Sequence, residues 1–167
     1  MSRETDIKRL TGLLADEDGV VREKSRNELI QLGGHDVACA IVTTLIDHRS
    51  HVRWEAAKTL QVIADPVAAS SLMHVLDDDD ADVRWVAAEA LIALGRVGLL
   101  TVLSGLTKRA DSILFCRSAH HVLHEMQTYG DPVAQVLGSL EESDPGMTVP
   151  PVAYKALIAL NEPLNVA

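Results

Sequence analysis

At 167 residues, with 47% hydrophobic and 23% charged residues, the chain is long enough for one domain with a buried core and too apolar to stay disordered. A formal net charge of −9 without any lysine or arginine cluster argues against nucleic-acid and anionic-membrane partners, both of which need a basic face. Aromatic residues make up only 3%, so the core must be filled by Ala, Leu and Val, which suits close helix–helix contact better than a sheet.

The start, Met1-Ser2-Arg3-Glu4-Thr5-Asp6, is charged and no apolar segment follows it. No run approaches the roughly 18 apolar residues of a membrane span, so a cytoplasmic protein is expected. Cys39 and Cys116 lie far apart without CxxC spacing and fit two reduced thiols.

In chain order the capping signals predict helices in pairs. First helices (A) are expected near 5–15, 35–47, 66–77, 97–108 and 132–142, and second helices (B) near 20–32, 51–63, 81–94, 112–127 and 151–160. Asp or Ser caps mark the starts, and Pro66, Pro132 and Pro151 take first-turn positions. Gly33 and Gly95 follow B helices, where a left-handed cap is wanted. Residues 143–150 carry Pro and Gly and read as an inserted loop before the last helix. No segment alternates with period two, so strands are not expected.

The pairs are copies of one another. Val52-Arg53-Trp54-Glu55-Ala56-Ala57-Lys58-Thr59-Leu60 recurs 31 residues later as Val83-Arg84-Trp85-Val86-Ala87-Ala88-Glu89-Ala90-Leu91. The same step links Val21-Arg22 to Val52-Arg53, and sets Asp16, Asp47 and Asp78 in one column. Later copies are looser: Asp65-Pro66-Val67-Ala68 returns 66 residues on as Asp131-Pro132-Val133-Ala134. Five units result, about 3–33, 34–64, 65–95, 96–129 and 130–162, in a single domain over 1–167.

The run Asp82-Val83-Arg84-Trp85-Val86-Ala87-Ala88-Glu89-Ala90-Leu91 resembles the short bacterial HEAT-like repeat, the type shared by phycobilin lyase subunits and deoxyhypusine hydroxylase. The likeness covers nearly the whole chain and is strongest over 16–95. It implies an all-α fold, a right-handed α-α superhelix of about five hairpins, with A helices convex and B helices concave. It also implies that Arg22, Arg53 and Arg84 pair with aspartates of neighbouring turns as a structural ladder. In deoxyhypusine hydroxylase the iron ligands are His-Glu pairs directly after that arginine column. The matching pairs here are Trp54-Glu55 and Trp85-Val86, without histidine, and His124-Glu125 falls outside the column.

At about 100° per residue, the buried stripe of a B helix runs through the Val before the arginine, the first Ala of the pair and the Leu, and the residue after the arginine points almost opposite. That residue is Trp54 in unit two and Trp85 in unit three. Tryptophan is enriched in binding hot spots. Two compatible readings stand: an outward aromatic pair, or rings folded sideways over the next repeat. Lys58 and Glu89 share the stripe, Glu55 flanks it and His120 continues it on the fourth B helix.

Cys116, His120 and His124 lie four residues apart on one helical strip and are weak metal candidates lacking a fourth ligand. The run Asp77-Asp78-Asp79-Asp80 lacks the glycine and distal glutamate of a calcium loop and reads as a capping turn, as do His48 and His51 one unit earlier. No G-x-S-x-G, Walker or Rossmann pattern occurs, and no nucleophile is paired with a base. The expected function is a non-catalytic scaffold without a cofactor, docking a protein or peptide across the B helices. Alternatives are a lyase-type or chaperone subunit handling a tetrapyrrole, and a metal-binding protein. The last repeat is apolar apart from Lys155, which predicts self-association there.

Overall fold

The computed structural model describes residues 2–161. Its helices come in pairs: α1 (Arg3–Leu13) with α2 (Gly19–Leu32), α3 (His35–Val42) with α4 (Ser50–Ile63), α5 (Ala69–Val75) with α6 (Ala81–Ala93), α7 (Arg96–Arg109) with α8 (Ile113–Glu125), and α9 (Asp131–Leu140) with α10 (Pro145–Asn161). Tighter 3-10 turns extend α3 over Thr43–Ile46 and precede α5 over Pro66–Ala68. No strand occurs among the described residues. The expected end of the last repeat at 162 and the segment Glu162-Pro163-Leu164 lie outside them.

Local chemistry explains the breaks. Ser2, Asp18, Asp80 and Ser112 each accept an amide of the first turn they cap. At the far ends, Gly33, Ala64 and Gly95 sit in one column of the 31-residue step, with φ of 54°, 52° and 57°. Glycine tolerates that conformation, whereas Ala64 holds it against its own Cβ.

Four pairs stack in register as an α-solenoid. Among the B helices, α2 lies along α4, α4 along α6 and α6 along α8, while the A helices line the other side. The apolar columns meet between the layers: Val52, Ala56 and Leu60, then Val83, Ala87 and Leu91, then Phe115, Ala119 and Leu123 are buried. Each fully buried leucine contributes roughly 1.5–3 kcal/mol relative to exposure. Helices approach closely where glycine allows it. A Cβ on Gly98 would lie 1.9 Å from the Leu91 carbonyl oxygen, and one on Gly105 would lie 2.6 Å from the Phe115 ring.

The Arg column secures the turn within each pair. Arg22, Arg53 and Arg84 each donate from Nη1 to the carbonyl six residues back, at Asp16, Asp47 and Asp78, at 2.8, 2.8 and 2.6 Å. The implied aspartate ladder is therefore partial. Arg53 alone of the three reaches aspartate carboxylates, at 2.7 Å on Asp78 and 2.8 Å on Asp79. Arg22 turns instead toward Glu55 on the next B helix, 3.6 Å away. In unit four the thiol of Cys116 takes over, donating to the Ala110 carbonyl at 3.3 Å. The step into this unit is thus 32 residues rather than 31, with Ser112 replacing Asp80 as cap.

The fifth pair departs from expectation twice. Of residues 143–150, expected as a loop, only Ser143 and Asp144 lie outside a helix, because α10 begins at Pro145 and accommodates Pro150 and Pro151 within it. Nor does α10 continue the B layer along α8: it packs on α7 and α9. Arg96 at the start of α7 hydrogen-bonds the Leu160 carbonyl at the end of α10, and Gly146 faces Ala110 and Asp111 at the end of α7, so the two helices run antiparallel. Val149, Ala153 and Ala156 supply the buried face. The position a further B helix would occupy beside α8 is left as a cleft of about 560 Å³, lined by Ile113, Cys116, His120, Leu140 and Pro145.

Candidate functional site

The outward side of the B layer gathers most of the sequence-predicted residues, though not as the wheel arranged them. Trp85 stands on α6 with 59% of its surface exposed. Its ring stacks on His121 of α8, centroids 4.3 Å apart and planes inclined by 24°. The imidazole Nε2 of His121 is in turn 2.8 Å from the Glu89 carboxylate, so one histidine links two residues of α6 to α8. Trp54 is half-buried against the core and lies under the guanidinium of Arg26, 5.5 Å from the ring centroid. Trp85 thus keeps 59% of its surface open while its ring packs on the next unit, and Trp54 lies half-buried under Arg26 of the preceding unit.

Two expected members of the rim are elsewhere. Glu55 is buried, with 5% of its surface exposed. Arg26 of α2 holds its carboxylate at 2.5 Å, and Arg22 approaches from the same helix. A wheel drawn for α4 alone cannot register a cation pair supplied by α2. His120 is displaced because the 32-residue step turns α8 by one position: His121 occupies the column of Lys58 and Glu89. His120 lines the cleft beside α8 instead, 3.7 Å from Glu141. Lys58 remains on the face, donating to Gln61 at 2.9 Å.

The face falls into two compartments separated by the start of α6. One, around Trp54, is lined by Arg22, Ser50, His51, Asp80 and Asp82, with Glu55 at its base. The other, around Trp85, is lined by Arg84, Ala88, Arg117, Ser118 and His121. Asp80 is held below the usual carboxylate range chiefly by the Val83 amide.

The metal candidates do not converge. His120 and His124 stack with centroids 6.3 Å apart, while Cys116 points to its carbonyl and is kept protonated by burial and by nearby Asp111 and Asp77. No group of three or more His, Cys, Asp or Glu among the described residues is arranged to hold a metal ion. The place of a di-iron ligand pair does not fit either, since Trp54 and Trp85 stand where histidines are needed and arginines occupy the Glu55 carboxylate.

One constellation was missed. Cys39 Sγ lies 3.4 Å from His35 Nε2, and His35 Nδ1 lies 3.0 Å from Asp65 of the next unit. The four-residue spacing of His35 and Cys39 on one helix was the available signal. The A-layer surface leaves this group open to water, His35 being 70% exposed in its side chain, so solvent screens the pair. On α10, Met147, Tyr154 and Ile158 are exposed at 75%, 60% and 46% and share one stripe, where the sequence predicted an apolar outer side. No described helix is long and apolar enough to cross a membrane.

A model of HEAT repeats matches residues 7–92. Among solved structures the chain is similar to human deoxyhypusine hydroxylase in complex with glycerol, with a TM-score of 0.57 and 22% identity over 92% of this chain. The match spans 62% of that protein's length, and at such identity it is a likeness of fold. No curated protein sequence matches the chain.

Proposed function

Because this chain belongs to the HEAT-repeat family, we propose that it is a non-catalytic scaffold that holds a protein or peptide partner across its B-layer face. The observation that carries this reading is Trp85, open to solvent over 59% of its surface yet fixed in orientation by the His121 ring. A large aromatic held rigid before binding loses little entropy when a partner covers it, which is why such residues dominate interfaces. Lys58 and Glu89 supply a polar rim, and Trp54 extends the apolar strip toward α2. No catalytic role is assigned. The nucleophile–base pair at Cys39 and His35 lies in open water, and the glutamate at the position of an iron ligand is neutralised by arginines.

Affinity capture from native cell extract tests the reading. Trp85→Ala is expected to reduce recovery of the partner by at least tenfold, about 1.4 kcal/mol or more. Its melting temperature should stay near that of the wild type, because Trp85 is largely outside the core. Adding Trp54→Ala should remove the remainder at some cost in stability. Undiminished capture by the single variant would sink the proposal.

A further inference from the structure

The two compartments of the B-layer face differ in sign. Around Trp54 carboxylates outnumber guanidinium groups, with Asp80, Asp82 and Glu55 against Arg22. Around Trp85 the lining is Ala81, Arg84, Ala88, Arg117, Ser118 and His121, without a carboxylate among them. In a chain of net charge −9, this second compartment is a local reversal.

Its guanidinium groups are also available. Arg53 and Arg109 are each closed by an aspartate, at 2.7 and 2.9 Å. Arg84 spends only Nη1, on the carbonyls of Asp78 and Asp79 at 2.6 and 3.1 Å, which leaves Nε and Nη2 without a partner among the described residues. Arg117 is exposed and forms no ion pair among them. It stands in the column that Trp54 and Trp85 occupy in units two and three, so α8 presents a cation where its neighbours present an indole. The nearby Glu89 is already engaged by His121 at 2.8 Å.

We propose that this compartment receives a carboxylate of an acidic peptide, gripped by Arg117 and Arg84 while its aliphatic stem lies on the Trp85 ring. The inference rests on the reading of the face as a peptide-binding surface and names the chemistry recognised there. A guanidinium fork matches a carboxylate with two parallel hydrogen bonds, and the ring supplies an apolar floor. The volume, about 220 Å³, fits one acidic side chain rather than a folded element. A singly charged group is favoured over a phosphate, because repulsion from the remaining acidic surface grows with ligand charge.

Fluorescence anisotropy on the full chain tests this with four labelled peptides at low ionic strength. They are a short oligoglutamate blocked at both ends, the matching blocked oligoglutamine, an oligoglutamine with a free C-terminal carboxylate, and a blocked phosphoserine peptide. Oligoglutamate should bind at least tenfold more tightly than blocked oligoglutamine. Recovery of that tenfold by the free C-terminus would overturn the assignment to an acidic side chain, and its absence would support it. Arg117→Gln should weaken oligoglutamate binding about tenfold, Arg117→Lys less, and the exposed Lys24→Gln not at all, with melting temperatures unchanged. Tighter binding of the phosphoserine peptide than of oligoglutamate, equal binding of the two blocked peptides, no binding at all, or indifference to Arg117→Gln would each overturn the carboxylate assignment. Equal binding that is lost in the Trp54→Ala, Trp85→Ala double variant would do so while leaving the groove itself intact.

Discussion

The regular stack of α1–α8 and the terminal hairpin of α9 and α10 both cover the apolar side of the helices before them, by different physics. Within the stack each junction carries a directional polar fastening: Arg26 on Glu55 joins α2 to α4, Arg53 on Asp78 joins α4 to the turn before α6, and His121 on Glu89 joins α8 to α6. Between α10 and α7 no ion pair occurs among the described residues; Val149, Ala153 and Ala156 cover α7, with Arg96 bonded to one carbonyl. Directional polar contacts between successive units hold a register, although a different column supplies them at each junction. Small apolar residues hold only proximity, and a helix that has lost the step can settle on another partner.

The sharpest way to break this contrast is to remove one fastening from each region. Glu55→Ala strands Arg22 and Arg26 without their carboxylate and should cost about 3 kcal/mol. Glu141→Ala, in the terminal hairpin and exposed, should change stability by less than about 0.5 kcal/mol. Urea denaturation of both variants measures the difference, and equal costs would erase it.

Acid should separate the regions next. Arg3 holds the Asp36 carboxyl down to about 2, Arg49 holds Asp47 lower still, and the Val67 amide lowers Asp65. For Asp78 burial works in the raising direction, but hydrogen bonds from Arg53 and the Asp80 amide outweigh it. All four belong to the stack. Carboxyls lowered by folding contribute stability that is present above their unfolded value near 4 and is lost as pH falls toward their folded values. Melting temperature should therefore stay level from about pH 7 to 5 and fall between about pH 4 and 2. Hydrogen exchange in the falling range should show α3–α6 losing protection before α7 and α10; simultaneous loss would mean the terminal hairpin shares the acid-sensitive fastening.

The smallest effects concern helix ends. Ala64→Gly relieves a left-handed alanine and should stabilise by about 0.5–1 kcal/mol. Gly130→Ala, at φ 92° before α9, should destabilise by about 1–2 kcal/mol. Thermal melts would show both, with opposite signs.

Much of the stack was legible because a repeated step reports the same environment several times. In units two and three the Val, Ala and Leu columns are buried as the 31-residue period assigns them, and the two tryptophans stand in one column. What escaped were properties that belong to a neighbour. Glu55 is interior only because α2 offers two guanidinium groups to it. His121, not His120, meets Trp85 because one extra residue precedes α8, and the cap at Ser112 was the lone sign of it. The turning of α10 toward α7 had no local signal: its apolar pattern suits either helix, and its prolines suggested a loop.

The route taken by α10 also bears on how far such a molecule can be lengthened. A module copied from residues 65–95 and spliced between units two and three would meet matching columns above and below, because both neighbours share its period. The same module spliced after α8 would bring its own first helix onto α7 and evict α10 from the surface it now shields. Modular elongation is therefore open on the upstream side of residue 96 and closed at the last joint.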